Sequence, residues 1–373
     1  MRATSIGSAV IDSSLAPAEI AAANGLVYVT DDLPGLTRVR RGKGFAYIDT
    51  HGAVIREAST LQRIRSLAIP PAYVDVWICP NPRGHLQATG RDARKRKQYR
   101  YHAEWRSVRD AGKFHRMIEF GERLPQLRQR LRRDLALPGL PRVKVLAVVV
   151  SLLEETLIRI GNAEYARTNK SYGLTTLRNS HVKFLQGGRA FFQFRGKSGQ
   201  TQQVVLNDKH LSAIVRHCQQ LPGQQLFQYT DDAGEHQPVD SGMVNEYLKT
   251  VMGGADNEGF TAKDFRTWGA TLRAIALLVG APLPEPASER ACKSCIVAIV
   301  KQVASELGNT PSVCRKSYIN PIVFDAWREG TLREFETAKA ATRKLEKAVL
   351  AFLRKAETRG SGAPASSRRH KAA

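Results

Sequence analysis

The spacing of apolar residues changes once along this chain, and that change limits the folds open to it. From Gly25 to about Gly90 apolar residues tend to alternate, the period of a half-buried strand. From about Lys113 they recur every three to four residues, the period of a helix packed on one face. Such a chain is read as α+β, with a small β-rich N-terminal domain and a larger, mostly α-helical one interrupted by a three-stranded β insertion. Its 373 residues suffice for two hydrophobic cores. The expected division is an N-terminal extension (1–24), a β-rich domain (25–112), a mostly helical domain (113–358) and a disordered basic tail (359–373).

Local signals fill in this outline. GFAYIDTHGAVI alternates around a turn at Asp49-Thr50-His51-Gly52. A helix is predicted over Leu61–Leu67, with Ser59 and Gln62 as a capping box and Pro70-Pro71 as its stop. Tyr73–Cys79 and His85–Gly90 flank Asn81-Pro82-Arg83-Gly84 and predict a hairpin. The basic segment RDARKRKQYRYH follows and is read as a linker. Helices are then predicted over Phe114–Leu135 and Arg142–Gly161, and strands over Ser180–Leu206 with turns at Gln186-Gly187-Gly188 and Gly196-Lys197-Ser198-Gly199. Thr261 and Asp264 cap the helix that carries Arg266. A long helix over Ala287–Leu307 ends at Gly308, and a short one runs from Thr310-Pro311 to Asn320-Pro321. A last charged helix is expected over Leu332–Arg359.

Charge narrows the function. Lys and Arg number 57 against 34 Asp and Glu, a formal net charge of +23. An excess of this size calls for a polyanionic partner. A membrane surface is not expected, because the strongest apolar run, Val143–Leu153, meets Glu154 and Glu155 at once. The N-terminus has no apolar signal core, and five dispersed cysteines point to a reducing cytosol. Cys292 and Cys295 form a lone C-x-x-C on a predicted helix and read as packing residues. The nine histidines show no ligand spacing and the carboxylates no paired pattern, so neither a metal nor a cofactor is expected.

Several long stretches then carry a resemblance. SLLEETLIRIGNAEYARTNKSYGLTTLRNSHV, FRGKSG, TAKDFRTWGAT and LGNTPSVCRKSYINP occur in that order, behind RRGKGFAYID and LAIPPAYVDVWICPNPRGHLQATGRDARKRKQYRYH. Together, over about Leu33 to Leu332, they resemble the poxvirus-type and bacterial branches of type IB DNA topoisomerases. The resemblance implies that Tyr318 is a nucleophile, that Arg159 and Arg266 are catalytic arginines, and that Lys197 is the lysine of a mobile turn. Asn309 stands where the poxvirus and nuclear branches carry histidine; its amide can donate to a phosphoryl oxygen but carries no charge. The set is chemically sufficient for metal-free strand cleavage. Arginine forks meet the charge gathering on phosphoryl oxygens, a hydroxyl forms the covalent intermediate, and a lysine protonates the leaving sugar oxygen. The implied partner is double-stranded DNA, contacted by Gln98, Tyr99 and Tyr101 on the far face of the duplex and by Tyr165 in the major groove. A cytoplasmic, nucleoid-associated monomer that uses neither ATP nor metal is the expectation.

Each residue also has a plainer reading. Arg159 at a helix end complements the dipole, and Lys197 is a solvated turn residue. Asn309 belongs to a turn between helices, and Tyr318 packs. Arg266 near a helix start is mildly disfavoured by the dipole, and CRKSY sets two cations beside Tyr318. Two rival functions share the charge. A tyrosine recombinase would use the same chemistry, but its H-x-x-R box reads KDFR here, and its N-terminal domain would be helical. A non-catalytic architectural protein would bind DNA without needing Tyr318.

Overall fold

The computed structural model describes residues 17–42, 44–93, 95–253, 259–284, 288–338 and 342–362. The chain divides into two compact units, Met1–Phe114 and His115–Ala373.

The first unit is built on one antiparallel sheet. Helix α1 (Pro17–Ala23) lies within the expected N-terminal extension, whose first 16 residues fall outside the described ones. Strands β1 (Leu36–Arg41) and β2 (Gly44–Ile48) pair, helix α2 (Ala58–Ser66) follows, and β3 (Val74–Ile78), β4 (Leu86–Arg91) and β5 (Lys97–Tyr101) complete the order β2-β1-β3-β4-β5. Leu36, Ile64, Val76, Ile78 and Ala88 form the core between sheet and α2. The turn at Asp49–Gly52 and the β3–β4 hairpin stand where the sequence predicts them. Buried Gln87 holds the hairpin turn: its amide donates to the carbonyls of Asn81, Pro82 and Gly84.

Two expectations fail in this unit. The Ser59–Gln62 capping box does not form. The helix starts one turn earlier, and the Glu57 carboxylate at its N-terminus accepts from the hydroxyls of Ser59 and Thr60. An anion is favoured at that end of the dipole, and it captures the hydroxyls that would otherwise cap. The basic segment is no linker either. Its second half is the edge strand β5, and helix α3 (Ala103–Leu135) begins directly behind it, ten residues before Lys113. Charge disguised the period here. Trp105, 5% exposed, packs with Ala21 and Leu26 and meets His85 edge-on.

The second unit is mostly helical. After the later part of α3 come α4 (Arg142–Thr156) and α5 (Ala163–Asn169). The insertion is a three-stranded meander, β6 (Val182–Leu185), β7 (Arg189–Arg195) and β8 (Thr201–Leu206), as predicted. Then follow α6 (Lys209–Gln219), a short hairpin β9 (Gln228–Thr230) and β10 (His236–Pro238), α7 (Ser241–Met252), α8 (Ala262–Val279), α9 (Glu289–Leu307), α10 (Pro311–Ser317) and α11 (Ile322–Arg328). The hairpin β9–β10 had no counterpart in the sequence reading. The last helix is shorter than expected: Thr331–Ala338 is a 3-10 turn, and α12 spans Thr342–Gly362. The expected disordered tail lies, beyond Gly362, outside the described residues.

Helix α4 is central to this unit, with Val145 to Val150 all buried, and it touches α6, α7 and α8. Arg128 of α3 ties it to α12. Its guanidinium donates to Glu154 at 2.6 Å and, bidentately, to Glu346 at 2.7 Å. No helix among the described residues is long and apolar enough to cross a membrane.

Removing Arg128 strands two partly buried carboxylates. Arg128→Ala is expected to cost about 3 kcal/mol, the low end for a broken buried pair, because a fifth of the side chain remains exposed. Burial already holds the Glu154 carboxyl above its ordinary range, against the pull of Arg128. Losing the cation raises it further. A raised acid weakens the fold as pH climbs from its unfolded towards its folded pKa. The mutant's deficit in denaturant unfolding should therefore be smaller at about pH 5 than at about pH 7.5.

Candidate active site

The site is assembled from helix ends. Helix α4 stops at Thr156 rather than Gly161, because Leu157 turns left-handed (φ 52). Arg159 therefore sits beyond the helix and not on its last turn. Helix α9 stops where Gly308 adopts φ 60, ψ 49, with Gly308 N bonded to Ser305 O and Asn309 N to Ala304 O. Such endings leave the last carbonyls without partners inside the helix.

Two arginines take up those carbonyls. Arg266, on the second turn of α8, is 4% exposed. Its Nη1 donates to Leu157 O and its Nη2 to Leu307 O at 2.8 Å. Arg159 Nη2 donates to Gly308 O at 3.1 Å and to Asn309 Oδ1. Both guanidinium groups thus sit on the partially negative C-terminal ends of helices, α9 for both and α4 for Arg266 as well. That resolves the frustration of an arginine near a helix start: its charge is carried away from its own N-terminus. The predicted Thr261–Asp264 capping box forms and fixes that turn, with Thr261 N donating to Asp264 Oδ2 at 2.8 Å.

Tyr318 lies beside them. It is the first residue past α10 (φ −128, ψ −29), so the helix ends at Ser317, short of the Asn320-Pro321 stop. Its N–H donates to Cys314 O at 3.0 Å, and its carbonyl accepts from Thr271 Oγ1 at 3.2 Å. The same Thr271 oxygen accepts from Asn320 N at 3.2 Å. The Arg266 guanidinium carbon stands 5.1 Å from the Tyr318 ring centre.

No carboxylate pairs with either arginine among the described residues. Burial, then the charge of Arg266, pushes the Arg159 guanidinium down to about 10, with Tyr318 opposing. It remains charged at neutral pH. Burial also lowers Arg266, and the Tyr318 hydroxyl opposes that shift. Two donors on these catalytic candidates, Arg266 Nε and Asn309 Nδ2, are buried without a hydrogen-bond partner. A site with two uncompensated cations and unpartnered donors favours an anion with several oxygens.

The fold is thus in place, with its cluster of arginines, amide and tyrosine. A family model described as eukaryotic DNA topoisomerase I, catalytic core, matches residues 102–348, and one described as bacterial DNA topoisomerase IB, N-terminal domain, matches residues 44–92. DNA topoisomerase 1B of Acanthamoeba polyphaga mimivirus is 34% identical over 293 residues, 77% of this chain and 85% of that protein. The chain belongs to the type IB DNA topoisomerase family. DNA topoisomerase 1B of vaccinia virus is 26% identical over 189 residues, 48% of this chain and 52% of its own. A crystal structure of the XerH site-specific recombinase bound to palindromic difH substrate aligns over 56% of this chain at TM-score 0.34 and 13% identity, too slight a likeness to bear on the argument.

Of the residues this family resemblance singled out, Arg159, Arg266, Asn309 and Tyr318 come together. Lys197 does not join them. It is exposed at the β7–β8 turn, which is closed by Gly196 N to Gln200 O at 2.7 Å. In the first unit Tyr99 stacks on Tyr101, ring centres 6.0 Å apart, while Gln98 donates to Asp92. Tyr165 is half exposed on α5, whose first turn is capped by Asn162. Cys292 is buried and Cys295 partly buried on α9. Thr271 and Gln202, which touch the site's backbone, have no motif or spacing in the sequence that marks them.

Thr271 is fully buried and bridges Tyr318 to Asn320. Thr271→Val keeps the shape but leaves a buried carbonyl and N–H unpaired, at a cost of about 1–3 kcal/mol. The unfolding midpoint should fall and single-turnover DNA cleavage should slow, both measured on the full chain. A variant matching wild type in both would remove Thr271 from the support of the tyrosine.

Proposed function

We propose that this topoisomerase relaxes supercoiled DNA through Tyr318. The Tyr318 hydroxyl releases its proton to solvent, favoured by the adjacent cations, its oxygen attacks the scissile phosphorus, the bond to the 5′ oxygen breaks, and a 3′-phosphotyrosyl ester forms. Arg159, Arg266 and the Asn309 amide donate to the nonbridging oxygens, where the transition state gathers charge. Lys197, brought in on its hairpin, gives a proton to the departing 5′ oxygen. The broken strand rotates about the intact one, and the 5′ hydroxyl then reverses the attack. Because one phosphoester replaces another, resealing draws on no ATP, and the arginines and Lys197 supply the charge and the proton without a metal ion.

The observation that carries this reading is a buried guanidinium, Arg266, and a partly buried one, Arg159, beside Tyr318 with no carboxylate on either among the described residues. A scissile phosphate supplies the anion such a pair lacks. Gln98, Tyr99, Tyr101 and Tyr165 contact the duplex, and the net charge of +23 supplies salt-sensitive affinity. The enzyme acts as a monomer on chromosomal DNA in the cytoplasm. The match of residues 44–92 to a topoisomerase N-terminal domain favours this reading over a recombinase.

Supercoiled plasmid incubated with the protein in EDTA, without ATP, should relax stepwise. Tyr318→Phe should bind the plasmid and leave it supercoiled; relaxation by that variant would discard Tyr318 as nucleophile. Arg159→Ala and Arg266→Ala should each slow single-turnover cleavage by about a hundredfold or more, the usual loss for a donor aimed at developing charge. Cleavage within a few-fold of wild type would place that arginine outside the chemistry.

A further inference from the structure

Lys197 stands apart from the cluster, so something must govern where its hairpin rests. Gln202 is the second residue of β8, paired across the hairpin with Phe194. Its stem lies on Gly196, where an added Cβ would come 2.8 Å from Gln202 Cγ. Its amide lies on Gly308, where an added Cβ would collide with Nε2 and Oε1 and come 2.6 Å from Cδ. One side chain therefore spans two glycines. The first precedes Lys197. The second ends α9, holds Arg159 through its carbonyl and leads into Asn309.

The two glycines are not alike. Gly308 has φ 60, a conformation that itself favours glycine. Gly196 has φ −92, ψ −163, which any residue can adopt, so what asks for glycine there is the space Gln202 fills.

We propose that Gln202 is a positioning residue. It seats the lysine hairpin on the Gly308 turn and so sets where Lys197 enters the site. The inference rests on Lys197 as proton donor and deepens that reading. A misplacement of about 1 Å at a reacting group can cost about a hundredfold, so a van der Waals strut at this point has leverage on rate.

The test compares two duplexes, one with an ordinary scissile phosphodiester and one with sulfur in place of the bridging 5′ oxygen. A thiolate leaves without protonation, so the second substrate bypasses the acid. Lys197→Ala should be slow on the oxygen substrate and near wild type on the sulfur one. Gln202→Ala should show the same split, slowed about tenfold or more on oxygen alone, and should add no further loss to Lys197→Ala. Gln202→Met, which keeps the length of the strut, should recover most of the oxygen rate. Equal slowing on both substrates would tie Gln202 to the arginines or the fold and overturn the proposal, as would no slowing at all. If Lys197→Ala gains nothing from sulfur, the proton-donor reading fails first and the role of Gln202 falls with it.

Discussion

The structure turns on keeping two arginines charged, Arg266 buried and Arg159 partly buried, without neutralising them. A carboxylate partner would stabilise each guanidinium, but it would also occupy the donors a phosphate needs. Backbone carbonyls at helix ends solve this, since they carry partial charge and accept hydrogen bonds without cancelling the cation. Arg266 draws on the ends of α4 and α9, and Arg159 on the end of α9. The left-handed Leu157 and Gly308 each end a helix beside a guanidinium, and the carbonyls there accept from it.

Other arginines of the same unit make the contrast plain. Arg128 is held by Glu154 and Glu346, Arg130 by Asp134, and Arg273 by Glu306 at 3.0 Å. The pairs of Arg128 and Arg273 join helices, that of Arg130 lies within α3, and in each the charge is met by a carboxylate. Arg273 and Glu306 lie close to the site, on α8 and α9, so the scaffold pairs its charges up to the edge of the cluster and stops there. The cluster's residual strain is local: Arg266 Nε and Asn309 Nδ2 remain buried and unpartnered, a cost that a bound anion would relieve.

Much of this was legible in the sequence, for physical reasons that differ by element. Gly308, Thr310-Pro311 and the Thr261–Asp264 pair are local capping signals, and they place three of the helix ends that build the site. The β6–β8 meander was marked by its glycine turns. The end of α4 was not readable, because LEETLIRIG keeps a helical pattern through Arg159, whereas Leu157 turns left-handed and offers its carbonyl to distant Arg266. The start of α3 was hidden for the opposite reason: its apolar face, around Trp105, is set among charges that read as a linker. All five catalytic candidates rested on family likeness; the structure gathers four of them, whereas the lysine lies exposed on a turn. Long-range supports such as Thr271 and Gln202 have no signature in one sequence, since their importance lies wholly in what they touch.

The central claim is that Tyr318 takes the 3′ phosphate. It is tested most directly by trapping the protein with denaturant during cleavage of a 5′-labelled duplex and mapping the adduct by proteolysis and mass spectrometry. The account predicts that label joins the protein and that the nucleotide sits on the peptide bearing Tyr318. Attachment through a 5′ phosphate, or a nucleotide on any other residue, would contradict it.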